Sequence, residues 1–430
     1  MIRRGSKVFS TCRTKVRPKD PVPPVTRMSE PVRIDTRAGP LLTDCFGPRT
    51  RGADLETIAA PATTLSIPVS DSADSHLNPV VGSAADTVWG VKRVGVRCDV
   101  GPARGIGHVM RCLALAEEVK RRDAELVFVC DADTVPWAAD QIAARGFAVQ
   151  PAVWTPDAHL GLFGKLGLDA VVFDSYDLDA AVYSAVRASG LPTLAIVDGD
   201  FRGAEADVLI DQNLAAELDQ PALPPNSIRL AGLPYVMIRD EILGHRPAEP
   251  PVARPSGVPD VFAFFGGTDA FGAGPQVARA LVATGLPFQA TVVAPNPSLA
   301  AQVAAVTPQA HQHLEVIGPT DQLAARVRKA DLTISASGTS TWELLCLGAT
   351  AGLVCVVDNQ AMGYERAIGT CAAAGLGLLS ALEADPASAV PVLKRLLTDS
   401  VERERLARAG WELVDGKGRE RVADALLGLI

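Results

Sequence analysis

The chain has 430 residues, room for two ordinary domains and an appendage, and is 48% apolar but only 5% aromatic. Its formal charge of −8 is uneven: residues 1–51 hold 12 Lys/Arg against 4 Asp/Glu, about +8, which leaves about −16 on the remainder. The acidic body argues against general nucleic-acid binding. No run of about 18 uncharged apolar residues suggests an integral membrane span, and the first residues, MIRRGSKVFS, never reach the apolar core of a secretory signal.

Residues 1–90 show no sustained periodicity and are rich in Pro, Thr, Ser, Asp and Arg, as in Pro21-Val22-Pro23-Pro24. They are expected to form a disordered, low-complexity extension, because too little apolar surface is present to offset the entropy of ordering. The basic charge of residues 1–51 reads as a solvated segment or as a contact with an anionic partner. From Val94 onward short aliphatic runs (Val94–Cys98, Leu126–Cys130, Ala170–Phe173, Thr193–Val197, Val208–Ile210) alternate with helical stretches such as Val109–Arg121 and Ala180–Ser189. The proline-rich segment Pro247–Pro259 reads as a linker. Beyond it a second series runs through Val261–Phe265, Ala290–Val293, Leu314–Val316, Leu332–Ser335, Leu353–Val357 and Leu376–Leu379. This pattern predicts two doubly wound parallel-sheet α/β domains, over 91–246 and 260–430, facing a cleft into which the carboxyl ends of the strands point. The eight cysteines, at 12, 45, 98, 112, 130, 346, 355 and 371, make no CxxC pair, and Cys130 and Cys355 sit in aliphatic runs. Reduced, buried thiols in a cytoplasmic protein are expected, not a zinc site or a disulfide framework.

Several motifs fall at the expected carboxyl edges. Gly105-Ile106-Gly107-His108-Val109-Met110-Arg111 opens a helix whose apolar positions Val109, Cys112, Leu113, Ala116 and Val119 keep one face. Glycines there let a ligand approach the backbone, and the free N–H groups of a helix start attract phosphate. His108 at that mouth is a candidate catalytic group, against a capping or surface role. Arg111, one turn on, suits a phosphate contact or a structural ion pair. Asp174-Ser175-Tyr176-Asp177 follows a buried strand, where an acid and a phenol can orient sugar hydroxyls or a water; helix capping is the plainer reading. Asp198-Gly199-Asp200 ends the next strand in a similar, less specific way. In the second domain Gly266, Gly267 and Thr268 follow the first strand and suit a phosphate or a sugar, or simply a tight turn.

The most specific motif is Ser335-Ala336-Ser337-Gly338-Thr339-Ser340-Thr341-Trp342-Glu343. Its small hydroxyl residues around Gly338 predict a phosphate nest at a helix start. Glu343, in the first helical turn, is placed to accept both hydroxyls of a ribose, or to complement the helix dipole as a cap. Asn359 and Gln360, after the strand at 353–357, are expected to turn polar amides toward the cleft.

In this order and spacing the motifs resemble the UDP-sugar hydrolases of the pseudaminic acid pathway, which remove UDP from UDP-2,4-diacetamido-2,4,6-trideoxy-β-L-altropyranose, and the related spore-coat polysaccharide biosynthesis proteins. The resemblance runs from about Val94 to the C-terminus and implies a GT-B fold. It implies His108 as the catalytic base, Tyr176 at the sugar, Asp174 and Gln360 in substrate binding, and Asn359 as a helper of catalysis. Gly105, Gly107, Arg111, Gly266, Gly267, Thr268, Ser337, Gly338, Thr339, Ser340, Thr341 and Glu343 would hold the nucleotide and its phosphates. Ser337 stands where the family commonly has Gly, and Thr339-Ser340 where it has Ser-Thr. The implied activity is hydrolysis of a UDP-activated amino or deoxy sugar, with no metal or cofactor, in surface polysaccharide or nonulosonic acid biosynthesis. The rivals are a glycosyltransferase on the same fold, in which an acceptor hydroxyl replaces water, and a non-catalytic nucleotide-sugar binding protein, which would have no need of His108. The acidic body, without a basic, apolar membrane-facing patch, favours hydrolysis over transfer to a lipid-linked acceptor.

Overall fold

A computed structural model describes residues 91–101, 106–252, 254 and 257–430. The extension expected at 1–90 and the candidate Gly105 lie outside the described residues. The first domain is a seven-stranded sheet made of β1 (Arg93–Cys98), β2 (Glu125–Val129), β3 (Ala148–Gln150), β4 (Ala170–Asp174), β5 (Thr193–Ile196), β6 (Val208–Asp211) and β7 (Ile228–Ala231). The second is a six-stranded sheet made of β8 (Asp260–Phe264), β9 (Phe288–Val293), β10 (Gln312–Ile317), β11 (Leu332–Ala336), β12 (Ala351–Cys355) and β13 (Ala373–Leu378).

Every strand pairing within both sheets is parallel. The strand orders are 3-2-1-4-5-6-7 and 10-9-8-11-12-13, so each sheet reverses its winding once, between β1 and β4 and between β8 and β11. The reason lies in the side chains. Sheets covered on both faces need strands without polar alternation, and Val94, Val96, Phe128, Val172, Leu194 and Val261 are all fully enclosed. Each such side chain contributes about 1.5–3 kcal/mol through removal from water.

The first helix, Gly107–Arg121, packs its predicted face against β1: Val109, Cys112, Leu113, Ala116 and Val119 are all at 0% exposure. The final helix, Gly418–Leu427, crosses back and inserts Val422, Ala423 and Leu426 into this same core. The chain therefore closes on the domain where the described residues begin. Among the described residues no helix is long and apolar enough to cross a membrane.

Candidate active site

A reversal of winding leaves a crevice at the carboxyl ends of the two strands that flank it. In the first domain these are β1 and β4. The first helix starts a few residues beyond β1, and His108, one residue into it, is only 7% exposed. Its Nδ1 lies 2.6 Å from Oδ1 of Asp174, the last residue of β4. Asp174 is fully buried and also receives Arg111, with Nε to Oδ2 at 2.6 Å and Nη2 to Oδ1 at 2.5 Å. Burial by itself raises the Asp174 carboxyl, but the Arg111 guanidinium and His108 outweigh it and hold the group far below the ordinary carboxylate range. A charged carboxylate only accepts, so Nδ1 of His108 carries its proton toward Asp174, and Nε2 is the ring's proton-accepting atom.

A second carboxylate extends the network. Asp198, just past β5, takes Arg111 Nη1 at 3.2 Å, the Tyr176 hydroxyl, and Asn213 Nδ2 at 3.1 Å. Arg111 and the Tyr176 hydroxyl keep the Asp198 carboxyl low against the opposing effect of burial. Burial and then Asp198 push the Tyr176 phenol well up. The Tyr176 ring meets His108 edge-on, with centroids 4.5 Å apart, and carries the Arg202 guanidinium on its face. Asn213 also donates to Asp211, which Arg229 pairs at 2.9 Å.

Two adjoining cavities follow the strand ends. The one of about 290 Å³ contains His108, Arg111, Tyr176 and Asp198 on the first domain's side and Ser337, Asn359 and Gln360 on the other. The one of about 420 Å³ is lined by Gly266, Gly267, Thr268, Ser340 and Glu343, with Val293, Pro295, Pro319 and Leu323 as apolar walls. Gly107, Gly338, Thr339 and Gln360 belong to both and form a waist. The waist is tight. A Cβ on Gly267 would lie 2.6 Å from Ile106 Cδ1, and one on Gly338 would lie 3.4 Å from Gln360 Nε2. Gly266 holds φ +70°, a region that side chains disfavour. Gln360 is held by Ser337 Oγ and the Val356 N–H, each 3.3 Å from its Oε1.

Several expectations need correction. Asp174, expected against the substrate, is enclosed and orients His108 and Arg111 instead. Thr341, expected among the phosphate contacts, is 2% exposed and lines neither cavity, because it lies on the inner side of the helix Ser340–Cys346. Arg111 is 5% exposed and its guanidinium is already paired with two carboxylates, which matches the structural ion pair more than a phosphate grip. Glu343 lines the larger cavity but is bound at 3.0 Å by Arg239 Nε, a partner from the first domain's end that sequence reasoning did not name. Burial opposes the Arg239 charge, and Glu343 more than restores it. Gln212, Asn213 and Arg366 also line the smaller cavity without having been singled out. The first two directly follow β6, whose apolar run is plain in the sequence, so the carboxyl-edge rule was sufficient to find them.

No protein-family model matches the chain, and no curated protein matches its sequence. Solved structures do match its fold. MurG of Acinetobacter baumannii superposes with a TM-score of 0.59 at 15% identity, over 78% of this chain and 99% of that one. The fold is GT-B. The UDP-GlcNAc 2-epimerase of Neisseria meningitidis, solved with UDP-GlcNAc bound, gives 0.55 at 10% identity over 78% and 100% of the two chains. The spinosyn rhamnosyltransferase SpnG, solved with thymidine diphosphate, gives 0.55 at 14% identity, again over 78% and 100%. In this GT-B chain the cleft carries a histidine–aspartate pair on one lobe and a glycine- and hydroxyl-rich helix start on the other.

Proposed function

We propose that the protein is a hydrolase of a UDP-activated amino or deoxy sugar, with His108 as general base. The observation that carries this reading is the His108–Asp174 pair, held in one tautomer beside the waist between the two cavities. The larger cavity takes the nucleotide, with Glu343 at the ribose. The backbone N–H groups and hydroxyls around Gly338, Thr339 and Ser340 face the pyrophosphate, and the smaller cavity takes the sugar. The solved neighbours with UDP-GlcNAc and with thymidine diphosphate support a nucleotide-sugar ligand for this fold.

The reaction follows from the groups present. Nε2 of His108 takes a proton from water as the water oxygen bonds to the anomeric carbon. The bond from that carbon to the pyrophosphate oxygen breaks, and its electron pair leaves with UDP. Asp174 stabilises the imidazolium that results, and donors at the nest stabilise the growing charge on the leaving group. Asn359, exposed at the rim of the smaller cavity, assists by holding the water or the sugar. A glycosyltransferase reading stays open on one observation, the fold shared with SpnG. It differs only in the nucleophile.

The deciding experiment incubates the protein with a panel of UDP-sugars in ¹⁸O-water, with and without sugar acceptors. Label in the released sugar and none in UDP is expected, without need of an acceptor. Label in phosphate, or turnover only with an acceptor, overturns hydrolysis at the anomeric carbon. His108→Ala should lower kcat by about 10²–10⁴-fold while UDP still binds.

A further inference from the structure

We propose that Gln212 and Asn213 form a specificity-determining pair in the smaller cavity, selecting an uncharged hydrogen-bonding substituent on the sugar over an ammonium. The inference rests on the reading of that cavity as the sugar site.

Both amides follow β6 and line the cavity, and Gln212 is only 2% exposed. Their orientations are fixed by partners with a single possible role. The Met237 backbone N–H, which can only donate, approaches Gln212 Oε1 at 3.2 Å. This leaves the Gln212 NH₂ as the free end, and among the described residues nothing accepts from it. Asn213 is fixed in the opposite sense. Its Nδ2 donates to Asp198 at 3.1 Å and to Asp211 at 2.9 Å, both held as acceptors by arginines, so its carbonyl Oδ1 is the end that no described residue engages. The pair therefore offers one donor and one acceptor from consecutive residues.

The surrounding charge points the same way. The three carboxylates of the cavity are each matched by a guanidinium: Asp198 by Arg111, Asp211 by Arg229 and Asp219 by Arg366. Among the described lining residues no carboxylate is left over for an ammonium and no guanidinium for a sugar acid. A buried donor beside a half-buried acceptor disfavours a ligand that fails to pair them, because each polar group that the ligand covers without matching loses its water without compensation. A hydroxyl and an acylamino group both donate and accept without charge. An ammonium only donates, so it can pair with Asn213 Oδ1 but leaves the Gln212 NH₂ unmatched.

The test uses Gln212→Glu, which keeps the acceptor for Met237 and replaces the donor with a carboxylate of nearly the same shape. Calorimetry would measure UDP, UDP-glucose, UDP-N-acetylglucosamine and UDP-glucosamine on the wild type and the variant. The wild type should favour the two uncharged sugars over UDP-glucosamine, and the spread between those two tells hydroxyl from acylamino. Gln212→Glu should shift the preference toward UDP-glucosamine by tenfold or more, about the scale of one charge-assisted hydrogen bond. Asn213→Ala, as a second variant, should weaken the uncharged sugars while UDP alone binds as before. If UDP binds equally to all three proteins and the sugar preference never moves, the pair does not read the sugar. If UDP fails to bind the wild type, the site reading itself falls.

Discussion

Asp174 shows how much of the site depends on one residue that the cleft never touches. It is fully buried, yet it fixes the tautomer of His108 and receives the Arg111 guanidinium. Asp174→Asn should lower kcat on the order of 10⁴-fold, the scale observed when the orienting carboxylate of a His–Asp pair becomes an amide. UDP affinity should hardly change, because Asp174 lines neither cavity. Stability should fall by roughly 3 kcal/mol at pH 7, since a buried ion pair loses one partner. The pH dependence has a definite sign. The native Asp174 carboxyl is depressed, so as pH falls through the ordinary carboxyl range of about 4 the unfolded chain takes up the proton first. Its contribution is intact above that range and declines below it, so the gap between wild type and variant should narrow from pH 7 to pH 3. Denaturant midpoints at the two pH values check this, and a constant gap would show that Asp174 is not held ionised. The place of His108 at a helix mouth was legible in the sequence because its signal is local, a glycine turn opening a helix. The role of Asp174 was not, because its partners lie 66 and 63 positions away and only the β1–β4 pairing brings them together.

At the level of elements, the turns after β8 and β11 wall the larger cavity, and they do so by leaving out side chains. Gly267 faces Ile106 across the cleft with no room for a methyl group, while Gly266 bends the chain through φ +70°. Gly267→Ala should push the Ile106 side chain into the larger cavity. Overpacking of this kind costs about 1–3 kcal/mol, and here it should appear as about a tenfold weaker UDP affinity, near 1.4 kcal/mol, with the denaturation midpoint almost unchanged. The Ile106 tip is flexible, so the fold has somewhere to yield. An unaltered UDP affinity would place the nucleotide away from this turn. The strands that line the cleft were readable as aliphatic runs. β3 (Ala148–Gln150) and β7 (Ile228–Ala231) were not, because each is a short edge strand with exposed or half-buried positions and no apolar run. The second sheet's edges, β10 and β13, keep short apolar runs and were readable, so it is the lack of such a run, more than the edge position, that hides a strand.

For the whole molecule, alternation of strand and helix on either side of a proline-rich segment was enough to predict two doubly wound sheets, since that architecture follows from composition and period. The return of the last helix was not predictable from the same signals. An amphipathic helix shows that it needs a partner surface but not which sheet supplies it, and Gly418–Leu427 chooses the far one. Arg419, 5% exposed, secures the return through Glu117 Oε2 at 3.2 Å and Asp240 Oδ1 at 2.7 Å. Gly418 makes the close approach possible, because a Cβ there would fall on the backbone O, N and C of Val236. Backbone cannot rotate aside as the Ile106 tip can. Gly418→Ala should therefore destabilise the fold on the order of 3 kcal/mol, lowering the urea midpoint with an unchanged slope. UDP affinity below the transition should match the wild type, the reverse of the pattern expected for Gly267→Ala. A midpoint equal to that of the wild type would mean that the helix moves off at little cost, and that the closure of the chain onto its first domain contributes little to the stability of the fold.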